Sequence, residues 1–393
     1  MVDTSEKNRL SVACYLYSAL IFVSMQPFFV WNSPEIAFSL IALLFSLSIL
    51  LRGSLRRPQK QIFSLLIIAT FFFLYVAAPF RLADSLSIRP IAYSYALIVG
   101  VYYFGGNITT SWKILKNIFV VISAISLVSM IFLTLGAPFP SITISQNFRP
   151  QESDQYILYY GMSYLSSQIS NFGGLTIVRN SGWFGEPGHF GIYIVLLLAT
   201  EERLLASKSN KLLFLTLLST LSLGSYISFL VLFLIRERRF GSLVFLSLVC
   251  LVFYILARDL IDNFLLSKLL SDQPLLQARA DFSLDLQAYT PAQLIFGSGR
   301  DYLTSLNEYS SNWDAFAAKY GLLAIAIFLF SVFYILKTSF KFHNALIGLG
   351  VATIAIIIML HRSWMIDTLY LWSAFFVIVY KMRNKSPSPC SSE

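Results

Sequence analysis

The strongest constraint on this chain is a recurrence. Mostly apolar stretches return along its whole length, each at about 17–25 residues long enough to cross a bilayer core about 30 Å thick. Ser11 to Trp31, Ile118 to Leu135 and Trp313 to Leu336 are three of them. Of 393 residues, 56% are hydrophobic and only 12% charged, against roughly 45–50% and 25% in soluble domains. A soluble chain would carry amphipathic stripes in these places. The first run outlasts a signal-peptide core of about 7–15 residues and lacks a small-residue cleavage site, so it reads as a retained anchor. The expected fold class is therefore an all-α polytopic membrane protein. It comprises about 12 transmembrane segments (roughly 11–12) in a single membrane domain spanning residues 1–393.

Hydrophobic segments fall near 11–31, 35–51, 61–78, 87–104, 118–135, 188–206, 211–221, 225–235, 241–257, 313–336, 342–360 and 364–380. Lys and Arg orient them, because cytoplasmic loops carry the excess of positive charge. With the N-terminus inside, the inner side holds 19 of the 29 basic and 6 of the 20 acidic residues, a net +13, and the outer side a net −4. Both termini are then cytoplasmic, the C-terminal tail being 381–393. The basic excess is a topology signal and gives no reason to expect nucleic acid as a partner. Residues 211–235 decide the parity. Lys208 and Lys211 precede them, and Arg236, Arg238 and Arg239 follow. A single crossing would put one basic cluster outside, so two short segments meeting near Ser222-Leu-Gly-Ser225 are expected, entering and leaving on one side.

Two outer loops, 136–187 and 258–312, far exceed the ~12–15 residues of ordinary connectors. They carry Tyr, Trp, Phe, Arg and Asp, so they are expected to fold over the outer face and hold the chemistry. Cys14, Cys250 and Cys390 lie at different depths and give no disulfide framework. His189, His343 and His361 lack zinc-site spacing, and the loops hold no paired carboxylates of metal-binding type. Neither a metal nor another cofactor is expected.

The segment Arg179-Asn-Ser-Gly-Trp-Phe-Gly-Glu-Pro-Gly-His-Phe-Gly191 leads straight into an apolar helix. Pro187 suits a first helical turn and Glu186 the cap before it. A helix start with Arg179 beside it favours a phosphate group. The plainer reading, that Glu186 merely caps and Arg179 pairs with a loop carboxylate, has equal weight. In the second loop, Arg279 and Arg300 stand on a net acidic side and invite an anionic ligand, with salt bridges to Asp281, Asp285 and Asp301 as the plain alternative. Gly297-Ser298-Gly299 could turn backbone N–H groups toward an anion. His361-Arg362-Ser363 reads first as snorkelling at the interface.

The order of these features resembles the Wzy-type O-antigen and polysaccharide polymerases and the related O-antigen ligases. The likeness covers roughly residues 170–325. It rests on Arg179…Gly182-Trp-Phe-Gly-Glu-Pro-Gly188 with the Thr220-Leu-Ser-Leu-Gly-Ser225 break, on Arg279 with Pro291 and Phe296-Gly-Ser-Gly299, and on Ser311-Asn312 with Gly321. The resemblance implies a C-type membrane glycosyltransferase fold. It implies an undecaprenyl-diphosphate-linked oligosaccharide as substrate, at the outer face of the bacterial inner membrane, in lipopolysaccharide or capsule synthesis. A chain-length regulator and a flippase would be its partners. By position, Arg179 and Arg279 would clamp the diphosphate, and Glu186 would orient or deprotonate the acceptor hydroxyl. His189 and His361 follow Glu186 as general bases. Arg300, Arg362 and Asn312 would help hold phosphate or sugar. The ligases carry a His where Ser311 stands here, which favours polymerase over ligase. A flippase for lipid-linked sugars is the alternative of another class, and it would call for mid-membrane charges and internal repeats that the sequence lacks.

Overall fold

A computed structural model describes residues 4–31, 34–50, 59–78, 87–137, 140–144, 156–159, 161–165, 169–172, 175–236, 289–299, 302, 312–342 and 345–384. Arg279 and Arg300, the segment expected at 241–257, most of the second loop and the tail from residue 385 lie outside the described residues.

Most of the described chain is helical. Helices α1 (Thr4–Ser24), α2 (Pro34–Leu50), α3 (Lys60–Ala77), α4 (Ile88–Val99) and α5 (Ile108–Thr134) precede the first long loop. After it come α6 (Pro187–Ala199), α7 (Lys208–Ser219) and α8 (Leu223–Arg236), then α9 (Pro291–Phe296), α10 (Trp313–Lys341), α11 (Ala345–His361) and α12 (Leu369–Asn384). Three stretches, Lys60–Ala77, Gly105–Thr134 and Trp313–Lys341, are long and apolar enough to cross a membrane, and six shorter apolar helices join them. The bundle is apolar outside as well as inside. Leu40, Phe71, Ile131 and Phe333 are each more than half exposed, while Phe72, Phe73, Phe119 and Trp112 are wholly buried. Such an exterior suits lipid chains and would aggregate in water. The protein is built to sit in a membrane.

Helix α12 runs through the middle of the bundle, with every residue from Leu369 to Ile378 fully buried. Helix α6 is almost as enclosed. At its C-terminal end Glu201 meets Lys116 of α5 (2.9 Å) and Lys381 of α12 (3.6 Å). Lys381 Nζ also donates to the Thr200 carbonyl (2.8 Å), and Arg236 donates to the carbonyls of Ala199 (3.0 Å) and Glu202 (2.8 Å). Cations from three helices thus answer the partial negative charge of one helix terminus.

Residues 208–236 double back, as the two basic clusters require. The start of α7 lies at the C-terminal end of α6, where Asn210 Nδ2 donates to the Arg203 carbonyl (3.1 Å), and Arg236 brings the end of α8 to the same place. The junction lies at the opposite end of α6, where Asn180 N donates to the Ser219 carbonyl (3.1 Å). Leu221 turns the corner at φ 47°, a left-handed conformation uncommon outside glycine.

The first long loop is where an all-helical expectation falls short. It contains an antiparallel sheet of β1 (Ser141–Ile144), β2 (Tyr156–Tyr159) and β3 (Met162–Leu165), and a hairpin of β4 (Ile169–Phe172) and β5 (Leu175–Val178). Tyr159, Met162, Tyr164 and Val178 pack on Met130, Phe132 and Leu133 in the last turns of α5. The strands thereby wall one side of the bundle end at which α6 begins. Four-residue strands leave too little alternation to be read from sequence.

Candidate functional site

The loop before α6 is held from three sides. Asn180 is fully buried, accepts from Gly182 N (2.9 Å), and donates from Nδ2 to Ser126 Oγ on α5 (3.1 Å) and Ser219 Oγ on α7 (2.9 Å). From β3, Ser163 N donates to the Gly182 carbonyl (2.7 Å) and its hydroxyl to that of Phe184 (3.0 Å). Phe28 N donates to the Trp183 carbonyl (2.8 Å), and the Phe184 ring stacks on Phe119 at 5.8 Å. Gly182 sits at φ 57°, and a Cβ there would lie 2.7 Å from the Phe190 ring, so only glycine fits this corner.

This fixed loop delivers Glu186 to the first position before α6. The backbone caps as expected, the Glu186 carbonyl accepting from His189 N (3.1 Å) and Phe190 N (3.2 Å), but the side chain makes no capping hydrogen bond. Its carboxylate turns instead to Arg362. Glu186 Oε2 lies 2.9 Å from Arg362 Nη1 and 3.5 Å from His189 Nε2, and Arg362 Nη1 lies 3.4 Å from His189 Nε2. Side-chain exposure is only 10% for Arg362, 16% for Glu186 and 18% for His189. A carboxylate, a guanidinium and an imidazole therefore share one enclosed point.

Arg362 reaches this point because the chain leaves the helix just there. Helix α11 ends at His361, and a 3-10 turn, Ser363–Asp367, carries the backbone sideways. Snorkelling at an interface, the first sequence reading of Arg362, does not describe it: the residue is 8% exposed and points inward. The turn is anchored by Ser363 Oγ donating to the Asn312 carbonyl (2.9 Å), while Asn312 Oδ1 accepts from Ala315 N (2.8 Å) and caps α10. Asn312 thus positions the neighbour of Arg362. Trp364, on the same turn, lays its ring 4.5 Å from that of His189. His361 remains exposed at the rim of a cleft lined also by Gly188, Ser222, Ser225, Ile358 and Arg362.

Arg179 comes to the same end of the bundle. Its Nε donates to the Thr220 carbonyl at the α7–α8 break (3.4 Å). Burial draws its guanidinium below the ordinary arginine value; the Glu186 charge raises it again and the Arg362 charge lowers it, so all three groups share one electrostatic neighbourhood. Arg179 is not paired with a carboxylate of its own loop among the described contacts. One guanidinium pairs with the carboxylate and a second stands within its field, an arrangement able to receive an anion while keeping a base at hand.

Gly297-Ser298-Gly299 does something other than hold an anion. Gly297 N closes the end of α9 on the Gln293 carbonyl (2.8 Å), and Ser298 N and Gly299 N donate to the carbonyls of Ala318 (2.7 Å) and Lys319 (3.2 Å), docking α9 onto α10. The docking point is a kink at Gly321 (φ 78°), where a Cβ would lie 2.2 Å from the Ile295 carbonyl oxygen. Among the described residues no group of three or more His, Cys, Asp or Glu side chains is arranged to hold a metal ion.

Nothing local marks Arg362 as buried, because its partners His189 and Glu186 lie 173 and 176 residues away in the chain. No local signal marks Trp364, and Ser222 is marked only as part of the break between two segments. Comparison of the chain with protein-family models, with curated proteins and with solved structures found no match in any of the three.

Proposed function

We propose that the protein is a metal-independent polysaccharide polymerase of the bacterial inner membrane. It transfers a growing glycan from undecaprenyl diphosphate onto a new lipid-linked repeat unit at the outer face, with about 12 crossings and both termini in the cytoplasm. The observation that carries the reading is the enclosed Glu186 carboxylate held between His189 and Arg362, with Arg179 beside them. Arg179 and Arg362 take the diphosphate, joined by Arg279 from the second loop. Arg300 assists from the same loop. Glu186 accepts the proton of the acceptor hydroxyl while that oxygen bonds to the anomeric carbon. The anomeric C–O bond to the diphosphate breaks with its electron pair, and the guanidiniums stabilise the charge that develops on the leaving group.

Depth supports the same reading. Helix α6 has 13 residues, about 20 Å at ~1.5 Å each, short of a core about 30 Å thick. Helix α5 continues eight residues past Ser126, the partner of Asn180, roughly 12 Å further. The end of α5 thus overhangs the loop before α6, which is consistent with a recess open to a lipid-borne head group.

The test replaces Arg179 or Arg362 with Ala in cells relying on this protein. Single repeats should still appear on the surface and long chains should vanish. Lys should rescue poorly at either position, since it lacks the two-pronged contact. A normal chain-length distribution in both Ala variants would sink the proposal. Long polymer accumulating on the carrier lipid would point to the ligase instead. Purified protein should extend a lipid-linked repeat with chelator present.

A further inference from the structure

We propose that Arg362 is a ligand-holding residue with two alternating partners. It holds the Glu186 carboxylate when the site is empty, and releases it when a ligand phosphate takes the guanidinium, so that the base is freed only with the leaving group in place. This rests on the diphosphate reading above and adds the order of events.

The guanidinium has two faces in use. Its Nη1 is turned to Glu186 Oε2 at 2.9 Å and to His189 Nε2 at 3.4 Å. Its Nη2 lies over Gly188, where a Cβ would come within 2.5 Å, and the residue lines the cleft together with Ser222 and Ser225. A phosphate entering that cleft meets Nη2 first. Gripped end-on by Nη2 and Nη1, a two-pronged geometry, it competes with Glu186 for Nη1. A carboxylate beside an unshared cation is a poor base, because the cation favours its charged form. Once phosphate charge faces the guanidinium, the carboxylate recovers its affinity for a proton. The acceptor hydroxyl can then give its proton to Glu186 as its oxygen attacks. His189 keeps the released side chain within reach, its ring held against Trp364 at 4.5 Å.

The consequence runs against the usual effect of deleting a site residue. Removing Glu186 should tighten phosphate binding. Inorganic pyrophosphate is titrated by calorimetry into the full-length protein in lipid nanodiscs, as wild type, Glu186→Gln, Glu186→Asp, Arg362→Gln and the Glu186→Gln/Arg362→Gln double variant. Freed of its competitor, Glu186→Gln should bind about tenfold tighter, the scale of close charge-pair coupling. Glu186→Asp keeps the charge but withdraws the carboxylate by one methylene, and it should bind more tightly than wild type too. Arg362→Gln should weaken binding, and adding Glu186→Gln to it should restore little. Thermal unfolding of each variant establishes that it is folded. Wild-type binding with no tightening in Glu186→Gln overturns the exchange and leaves the diphosphate reading standing. Tightening in Glu186→Gln but not in Glu186→Asp also overturns it, because a general field effect would then suffice. Absence of pyrophosphate binding in every folded variant overturns the diphosphate reading itself.

Discussion

Gly188→Ala tests the site by moving a charge instead of deleting one. The added methyl would lie 2.5 Å from Arg362 Nη2 and 3.4 Å from Ser222 Oγ. To restore an ordinary contact the guanidinium must retreat by about 1 Å, which lengthens its 2.9 Å contact with Glu186 to roughly 3.9 Å. At an effective dielectric of about 20, 1 Å added to such a charge contact costs about 1.5 kcal/mol, and the same retreat draws the guanidinium away from a phosphate in the cleft, weakening its grip on the leaving group roughly tenfold. The backbone term has the opposite sign: Ala in place of Gly within a helix gains about 0.5–1 kcal/mol. Folding stability should therefore change by less than about 1 kcal/mol while chain extension slows about tenfold. The assay is the initial rate of repeat addition by protein in nanodiscs, read beside thermal unfolding of the same sample. Gly106→Ala, where a Cβ meets nothing within 4 Å, is the matched control and should change neither. A folded Gly188→Ala protein extending chains at the wild-type rate would refute the argument that Arg362, seated over Gly188, holds the leaving group.

Other perturbations separate structure from chemistry. Asn180→Ala leaves Gly182 N and two serine hydroxyls without their buried partner. It should cost about 2–4 kcal/mol, at roughly 1–3 per unsatisfied group with partial relief from water, seen as earlier unfolding in denaturant. Gly321→Ala forces a side chain into φ 78° and against the Ile295 carbonyl; more than about 3 kcal/mol is expected, and limited proteolysis should begin in 289–299. Glu201→Gln takes the carboxylate from Lys116 and Lys381 at the opposite end of α6. Their partial exposure limits the loss to about 1–2 kcal/mol, and the surviving folded protein should extend chains at close to the normal rate.

What could be read from the chain was whatever is local. Apolar run lengths gave the helices, and like-charged clusters at 208–211 and 236–239 required the doubling back that Asn210 and Arg236 now anchor. Glu-Pro at 186–187 marked the start of α6 for reasons confined to one helical turn. The rest depends on partners distant in sequence. Whether Glu186 caps its helix or faces a cation is decided by Arg362, brought in by a 3-10 turn that no periodicity foretells. Gly297-Ser298-Gly299 looked like an anion cradle because its N–H groups are the visible feature, whereas the acceptors of Ser298 and Gly299, at 318–319, are set by the kink at Gly321. Strands β1 to β5 are too short to show a period of two over an uncertain register.

The breaks in the helices are what make this site possible. Backbone that leaves a helix within a bilayer must be satisfied by protein or by a water-lined cavity. Here the start of α6, the α7–α8 junction and the end of α11 come together at one place. Each break releases polar groups that the others use: Arg179 takes the Thr220 carbonyl, Asn180 takes the Ser219 carbonyl, and the turn after α11 sends Arg362 to Glu186. Continuous helices would bury their backbone more cheaply but would present nothing except side chains. An isolated ion pair at this depth is weak evidence for stability, since desolvation offsets much of its attraction. Its place beside a cleft, where several helices stop, is what the exchange proposed above would account for.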